Sequence, residues 1–439
     1  MPKDTPQWLK KAVIYGVFPR IHSQEGNFEG VIRDLERIRS LGTDLLWILP
    51  IHPIGEIGRK GQYGSPYSIK DYRAVNPDYG TEKDFRKLVD KAHELGMKIL
   101  MDVVYHHTSM DSVLVQEHPE WFLKDQEGNF TRKVPEWSDV YDLDYNQPGF
   151  WEYQIETLEK WVDVGVDGFR CDVAPMVPLE FWKKARSVLS RKKEVIWLAE
   201  SGWMCFVKKD KDLGFIHHTD PELHEAFDIT FDADGGEYLQ KYFRGQASLK
   251  DYLHQVYLQE VLYPRYAVKM RYLESHDDPR IARIIRDKSS LKCWTVFFML
   301  LPGAAYIYGG QEYAITGDND RHDLSLKAEE QYHNTRFYVD WENGDRDFFD
   351  FVQHTIKVMK EIKGTCYTCS AQEITGGVVK IHWTGISGQY IVLVNLENKF
   401  GDIPIDFECE GTDLLTGEHR VLSKIYKIEK VPLIIKINR

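Results

Sequence analysis

Three carboxylates close three short apolar runs in this 439-residue chain. They are Asp172 in Gly168-Phe169-Arg170-Cys171-Asp172, Glu200 in Trp197-Leu198-Ala199-Glu200, and Asp277 in Glu274-Ser275-His276-Asp277. Each run has the length and composition of a buried strand, and each acid stands where that strand should give way to a loop. In a parallel α/β barrel the C-terminal ends of the strands meet at one mouth. Like charges gathered there resist ionising together, so three acids in one mouth point to acid/base and nucleophilic chemistry. Arg170 lies two residues before Asp172, and strand alternation puts both side chains on one face. A guanidinium beside a carboxylate favours the ionised form, so Asp172 is expected to stay charged and act as a nucleophile. Glu200 has no basic neighbour in sequence, and an apolar setting would raise its pKa and keep it protonated as an acid. Taken singly, the same residues fit a buried Arg–Asp pair and a surface glutamate. Their joint placement favours chemistry.

The elements that must position them alternate. Residues 13–17 and 44–49 read as strands. Between them Phe28, Val31, Ile32, Leu35 and Ile38 recur at helical spacing until Gly42. Thr81 with Asp84 is a capping signal for a helix whose apolar face is Phe85, Leu88, Val89, Ala92 and Leu95. A strand at 98–104 follows. The unit then repeats: helix 151–164, strand 168–173, helix 179–189, strand 195–199, and further strands at 226–231, 269–273 and 304–308. About eight strands with helices between most of them predict a closed (β/α)8 barrel, an α/β fold, because parallel strands need crossover connections. The segment 105–148 is too long for a simple loop and reads as a short excursion over the barrel mouth. From 365 to 439 helical spacing stops, and alternating segments such as Val378-Val379-Lys380-Ile381-His382-Trp383 predict an antiparallel, sandwich-like β domain. The expected division is therefore 1–104 with 149–364 for the barrel, 105–148 for the excursion and 365–439 for the β domain.

Composition sets the outer limits. A net charge of −12 argues against general nucleic-acid binding. The longest apolar stretch, near residues 293–301, is too short to span a membrane. The N-terminal residues carry no apolar signal core, and the six cysteines show no disulfide pattern. Cys366 and Cys369 have no second pair or histidine cluster, and two reduced thiols are the expectation. These features fit a cytoplasmic protein with no membrane partner.

Four segments, in order and on predicted barrel strands, resemble those of the α-amylase family of glycoside hydrolases, the retaining enzymes that act on α-glucans. They are Asp102-Val103-Val104-Tyr105-His106-His107, Gly168 to Asp172, Leu198-Ala199-Glu200 and Ser275-His276-Asp277. The resemblance runs over nearly the whole chain. It implies that Asp172 is the nucleophile, Glu200 the general acid/base, and Asp277 the third carboxylate, which holds the sugar in a distorted shape. It also implies that His107 and His276 hydrogen-bond sugar hydroxyls, and that Tyr67 offers a ring face to the sugar next to the broken bond. Gly309-Gly310-Gln311-Glu312 after the last strand also matches, with Glu312 in a structural role. Asp71 is expected to buttress the Tyr67 loop.

The departures are as informative. Many family members have Asn where His106 stands and bind a structural calcium there. Imidazole is a poor ligand for that hard cation, which weakens the case for calcium, and no cofactor or metal is expected to be required. Val173-Ala174-Pro175-Met176 replaces the family's usual Lys-His after the nucleophile, so recognition on the leaving-group side is expected to differ, through Trp203. The resemblance thus implies a hydrolase of α-1,4 bonds in maltodextrins, working through a glycosyl–Asp172 intermediate with an α-glucan oligosaccharide as partner. A transglycosylase of the same family (the 4-α-glucanotransferase type) uses the same triad and remains open. So, more remotely, does a non-catalytic amylase-like binding module.

Overall fold

Each apolar run is followed by a helix that returns the chain to the same end, so successive runs pair in parallel. The computed structural model describes residues 5–317 and 339–438. Strands β1 (Val13–Val17), β2 (Leu45–Ile48), β3 (Lys98–Val104), β4 (Gly168–Asp172), β5 (Ile196–Ala199), β6 (Ile229–Phe231), β7 (Val268–Arg271) and β8 (Ala304–Tyr308) close into a barrel. β1 pairs with both β2 and β8, which completes the ring. Of the expected segment 149–364, residues 318–338 lie outside the described residues. β6 begins later than expected and β7 ends earlier, so Leu273 and the residues up to Asp277 belong to a loop. The barrel interior is crowded near the C-terminal end of β1. A Cβ added to Gly16 would come within 2.2 Å of the Tyr306 hydroxyl, so only glycine fits there.

The helix Glu82–Glu94 carries the expected capping box: Thr81 Oγ1 accepts from Asp84 N, and Asp84 Oδ2 accepts from Thr81 N. The continuous helix expected after β1 is instead two short ones, Phe28–Ile32 and Leu35–Ser40. Asn27 caps the first, and the break falls at Asp34, whose carboxylate turns to His22 and Arg37 rather than to solvent. The excursion is pinned at its root. His107–Ser109, just beyond β3, pairs antiparallel with Val140–Asp142.

After the long helix Arg346–Thr365, six strands form one antiparallel sheet. They are β9 (Cys366–Thr375), β10 (Val378–Gly385), β11 (Gln389–Asn395), β12 (Cys409–Asp413), β13 (His419–Leu422) and β14 (Leu433–Ile437), in the order β9-β10-β11-β14-β12-β13. The second layer is only a ribbon, Asp402–Pro404 with Ile425–Lys427, closing over Ile391, Leu393, Leu433 and Ile435. Two tryptophans tie this sheet to the barrel: Trp383 Nε1 donates to Leu300 O at 2.8 Å and Trp294 Nε1 to Leu396 O at 3.1 Å. All six cysteines are unpaired.

Candidate active site

Strand register builds the centre of the site. Asp102 on β3 lies beside Arg170 on β4, and Val104 beside Asp172. Arg170 is fully buried and is shared by three acids. Its Nη1 donates to both Asp102 oxygens (2.9 and 3.1 Å) and to Asp172 Oδ1 (2.8 Å). Its Nη2 is in ionic contact with Glu200 Oε1 at 2.9 Å. Trp47 Nε1 and the Tyr67 hydroxyl both donate to Asp102 Oδ2, each at 3.1 Å. Tyr67 Oη also lies 2.6 Å from His276 Nε2, with the two rings nearly parallel. His276 Nε2 in turn approaches Asp277 Oδ2 at 3.2 Å, and the Asp277 side chain is 48% exposed. Asp172, Glu200, Arg170, Tyr67, His276 and Asp277 thus form one connected cluster at the C-terminal ends of the strands.

The backbone after the nucleophile candidate is unusual. Val173 has φ 44°, in the left-handed region that a β-branched residue rarely enters. This turn aims its N–H at Glu200 Oε2, 2.8 Å away.

The electrostatics correct the expectation drawn from sequence neighbours. Asp172 is not held low by Arg170. Burial pushes its pKa well up, the charge of Glu200 adds to this, and Arg170 only partly opposes. Burial likewise raises Asp102 to about 6 despite its contacts with Arg170. Nor is Glu200 in an apolar setting, since it reaches the same guanidinium as Asp172 from the neighbouring strand. One cation facing three acids offsets their burial only in part, which is why Asp172 and Asp102 are both pushed up. Burial, with Arg170 adding to it, holds His276 well below the usual histidine range. Burial holds His107 to about 4. Both imidazoles are therefore neutral around pH 7.

Two expected site residues lie outside the Arg170 network but beside its loops, and the His107 ring bonds to the Tyr67 backbone. His107 is buried against His106 and Trp137, and its carbonyl accepts from the Tyr72 hydroxyl. Trp203, three residues beyond Glu200, borders a small cavity with Tyr272 and Asp278. Asp71 accepts from Arg73 N within its own loop, and buried Glu312 accepts from Tyr15 and Arg37 behind the mouth. Asp102 is the residue that sequence reasoning left without a role. An aspartate inside the apolar run of β3 must find a buried cation, and that signal was available.

The residues around His106 do not suit calcium. His106 Nε2 lies 3.6 Å from Asp142 Oδ2, and Asp142 already accepts from Lys133 N. One imidazole and one carboxylate, whose Oδ1 is left without a hydrogen-bond partner, fall short of the six to eight oxygens that Ca²⁺ takes. Among the described residues no group of three or more His, Cys, Asp and Glu side chains is arranged to hold a metal ion.

This fold is shared with known proteins. The family described as "Alpha amylase, catalytic domain" matches residues 16–141 and 115–373. The crystal structure of an α-amylase from Lactobacillus plantarum is 37% identical, covering 99% of this chain and 100% of its own, with a TM-score of 0.89. That of a noncanonic maltogenic α-amylase, AmyB, from Thermotoga neapolitana is 32% identical over 98% of this chain and 99% of its own, with a TM-score of 0.84. The α-amylase MalA of Haloarcula japonica is 23% identical over 95% of this chain, which spans 60% of that relative's length.

Proposed function

Because the chain belongs to the α-amylase family of glycosidases and transglycosylases, we propose that it cleaves α-1,4-glucosidic bonds of maltodextrins with net retention, through a glycosyl intermediate on Asp172. The observation that carries this reading is the Arg170 bridge, which contacts Asp172 at 2.8 Å and Glu200 at 2.9 Å. Inverting enzymes need roughly 6.5–9.5 Å between their carboxyls to seat a water. Arg170 draws Asp172 and Glu200 to one guanidinium, which supports the closer carboxyl spacing of the retaining class.

The paired carboxyls meet the demand of the reaction. With substrate bound between them, Glu200 protonates the departing oxygen while Asp172 attacks the anomeric carbon. Glu200 then takes a proton from water, whose oxygen displaces Asp172. Neutral His276 and His107 can hydrogen-bond sugar hydroxyls without adding charge, and Asp277, the exposed acid, meets the sugar from the solvent side. A sugar hydroxyl in place of water turns the same steps into transglycosylation. Six free cysteines support a reducing compartment, the cytoplasm.

Chromatography of the products from maltoheptaose tests the reaction. Only shorter maltooligosaccharides are expected from hydrolysis, and products both longer and shorter from transfer. No product at all would remove the α-glucan reading. Glu200→Gln is expected to slow maltoheptaose cleavage about 10²–10⁴-fold. It should slow release of fluoride from α-maltosyl fluoride much less, because fluoride leaves without a proton. Equal losses on both substrates would remove Glu200 as the acid. The enzyme is proposed to work without a metal: exhaustive dialysis against EDTA should leave Tm and rate unchanged, and a drop restored by calcium would overturn that.

A further inference from the structure

A second buried ionic cluster lies behind the loop that carries Glu200. Its hub is Lys269 on β7, whose side chain is only 5% exposed. A lysine is almost never so deeply buried unless it is paired. Its ammonium donates to Asp220 Oδ2 and, at 2.8 Å, to Asp234 Oδ1. It also reaches the Phe231 carbonyl at 3.0 Å and Thr230 Oγ1 at 3.2 Å. Asp220 opens the helix Asp220–Leu223, and Asp234 lies in the first turn of the helix Ala233–Phe243. One cation thus ties β7 to the end of β6 and to the helices that precede and follow that strand.

The cluster reaches the active site along two paths. Ser201, buried and directly after Glu200, turns its hydroxyl to Asp220 Oδ2 at 3.2 Å and to the Phe231 carbonyl at 3.1 Å. Both acceptors are groups that Lys269 holds. The Phe231 ring, in turn, lies against the Arg170 guanidinium, whose carbon is 5.4 Å from the ring centre. Packing alone does not call for such a hub, because a buried ionic group can often give way to apolar residues of similar volume without loss of stability. A hydrogen-bonded hub does fix direction, and an acid that must meet one oxygen needs direction. A misplacement of about 1 Å can cost about 10²-fold in rate. We propose that Lys269 is a positioning residue for the acid/base. It acts through Asp220 and the Phe231 carbonyl on Ser201, and so on the backbone that carries Glu200. This rests on the role given to Glu200 above.

Ser201→Ala cuts the link and leaves Lys269 with both of its carboxylates. In the full chain it is expected to lower kcat on maltoheptaose about 10-fold, with KM within about two-fold of wild type and Tm little changed. The first turnover of α-maltosyl fluoride should slow much less, because fluoride leaves without a proton from Glu200. The pair Lys269→Met with Asp220→Asn removes one cation and one anion together, and Asp234 keeps its donors Gln255, Gln259 and Tyr263. It should show the same selective loss. Adding Ser201→Ala to it should cost little more, since all three changes break one path. Full kcat in Ser201→Ala, equal losses on both substrates, or losses that multiply would overturn the proposal. Should the paired variant fail to fold, Ser201→Ala on the two substrates decides by itself. A wild type that releases no fluoride would instead refute the catalytic reading itself.

Discussion

Asp172→Asn should abolish turnover of maltoheptaose, by at least about 10⁴-fold, and leave the protein as stable as wild type or more so. The two halves of this expectation have one cause. Asp172 is buried beside Glu200 and Asp102, and its pKa is raised in the fold. An acid raised in the folded state costs nothing at low pH, where both states hold the proton. As pH climbs above the ordinary carboxylate value the unfolded chain ionises first, and stability is lost. Asparagine cannot ionise, so its Tm advantage should grow from pH 4 toward pH 8. Activity measured alongside Tm across that window checks both. Near-normal turnover would remove Asp172 as the nucleophile, and a lower Tm at pH 8 would remove the electrostatic account.

Arg170→Met should be the most damaging single change in the site. It leaves Asp102, Asp172 and Glu200 without the cation they share. Removing one partner from a buried ionic cluster costs about 3–5 kcal/mol. At about 2–4 °C per kcal/mol, Tm should fall by about 10 °C at pH 7.5. The deficit should shrink toward pH 4, because protonation removes the repulsion that arginine had screened. Arg170→Lys should be more stable but still poorly active, by about 10²-fold or more. A single ammonium cannot reach Asp102 and Asp172 with one nitrogen and Glu200 with another. A methionine variant whose Tm deficit stays flat with pH would show that the loss is one of packing.

How much of this was legible in the chain depended on range. The barrel was legible because its signal is periodic and local: strand-length apolar runs, helical faces and the Thr81–Asp84 cap each announce themselves within a dozen residues. The clustering of Asp172 and Glu200 followed from strand-end position, whereas Asp277 reaches them from a loop six residues beyond the end of β7. The charge states did not, because Arg170 meets Glu200 across strands, and no reading of sequence neighbours finds a contact set by β4–β5 pairing. An aspartate inside an apolar run signals a buried cation, but which cation Asp102 meets was not legible, because its partner is 68 residues away. The division of the first helix turned on where one side chain, Asp34, found its partners. In each case tertiary context overrode a correct local rule.

The left-handed Val173 carries a consequence for the protein's mutational landscape. A branched side chain there is a local liability, of the order of 1 kcal/mol, which glycine or asparagine would relieve. Selection for heat resistance alone should therefore enrich those residues at position 173, while selection for turnover keeps a stiff residue that aims the N–H at Glu200. Pooled variant libraries sorted separately by the two criteria should diverge at this codon, so that thermal optimisation of the enzyme is safest with position 173 held constant.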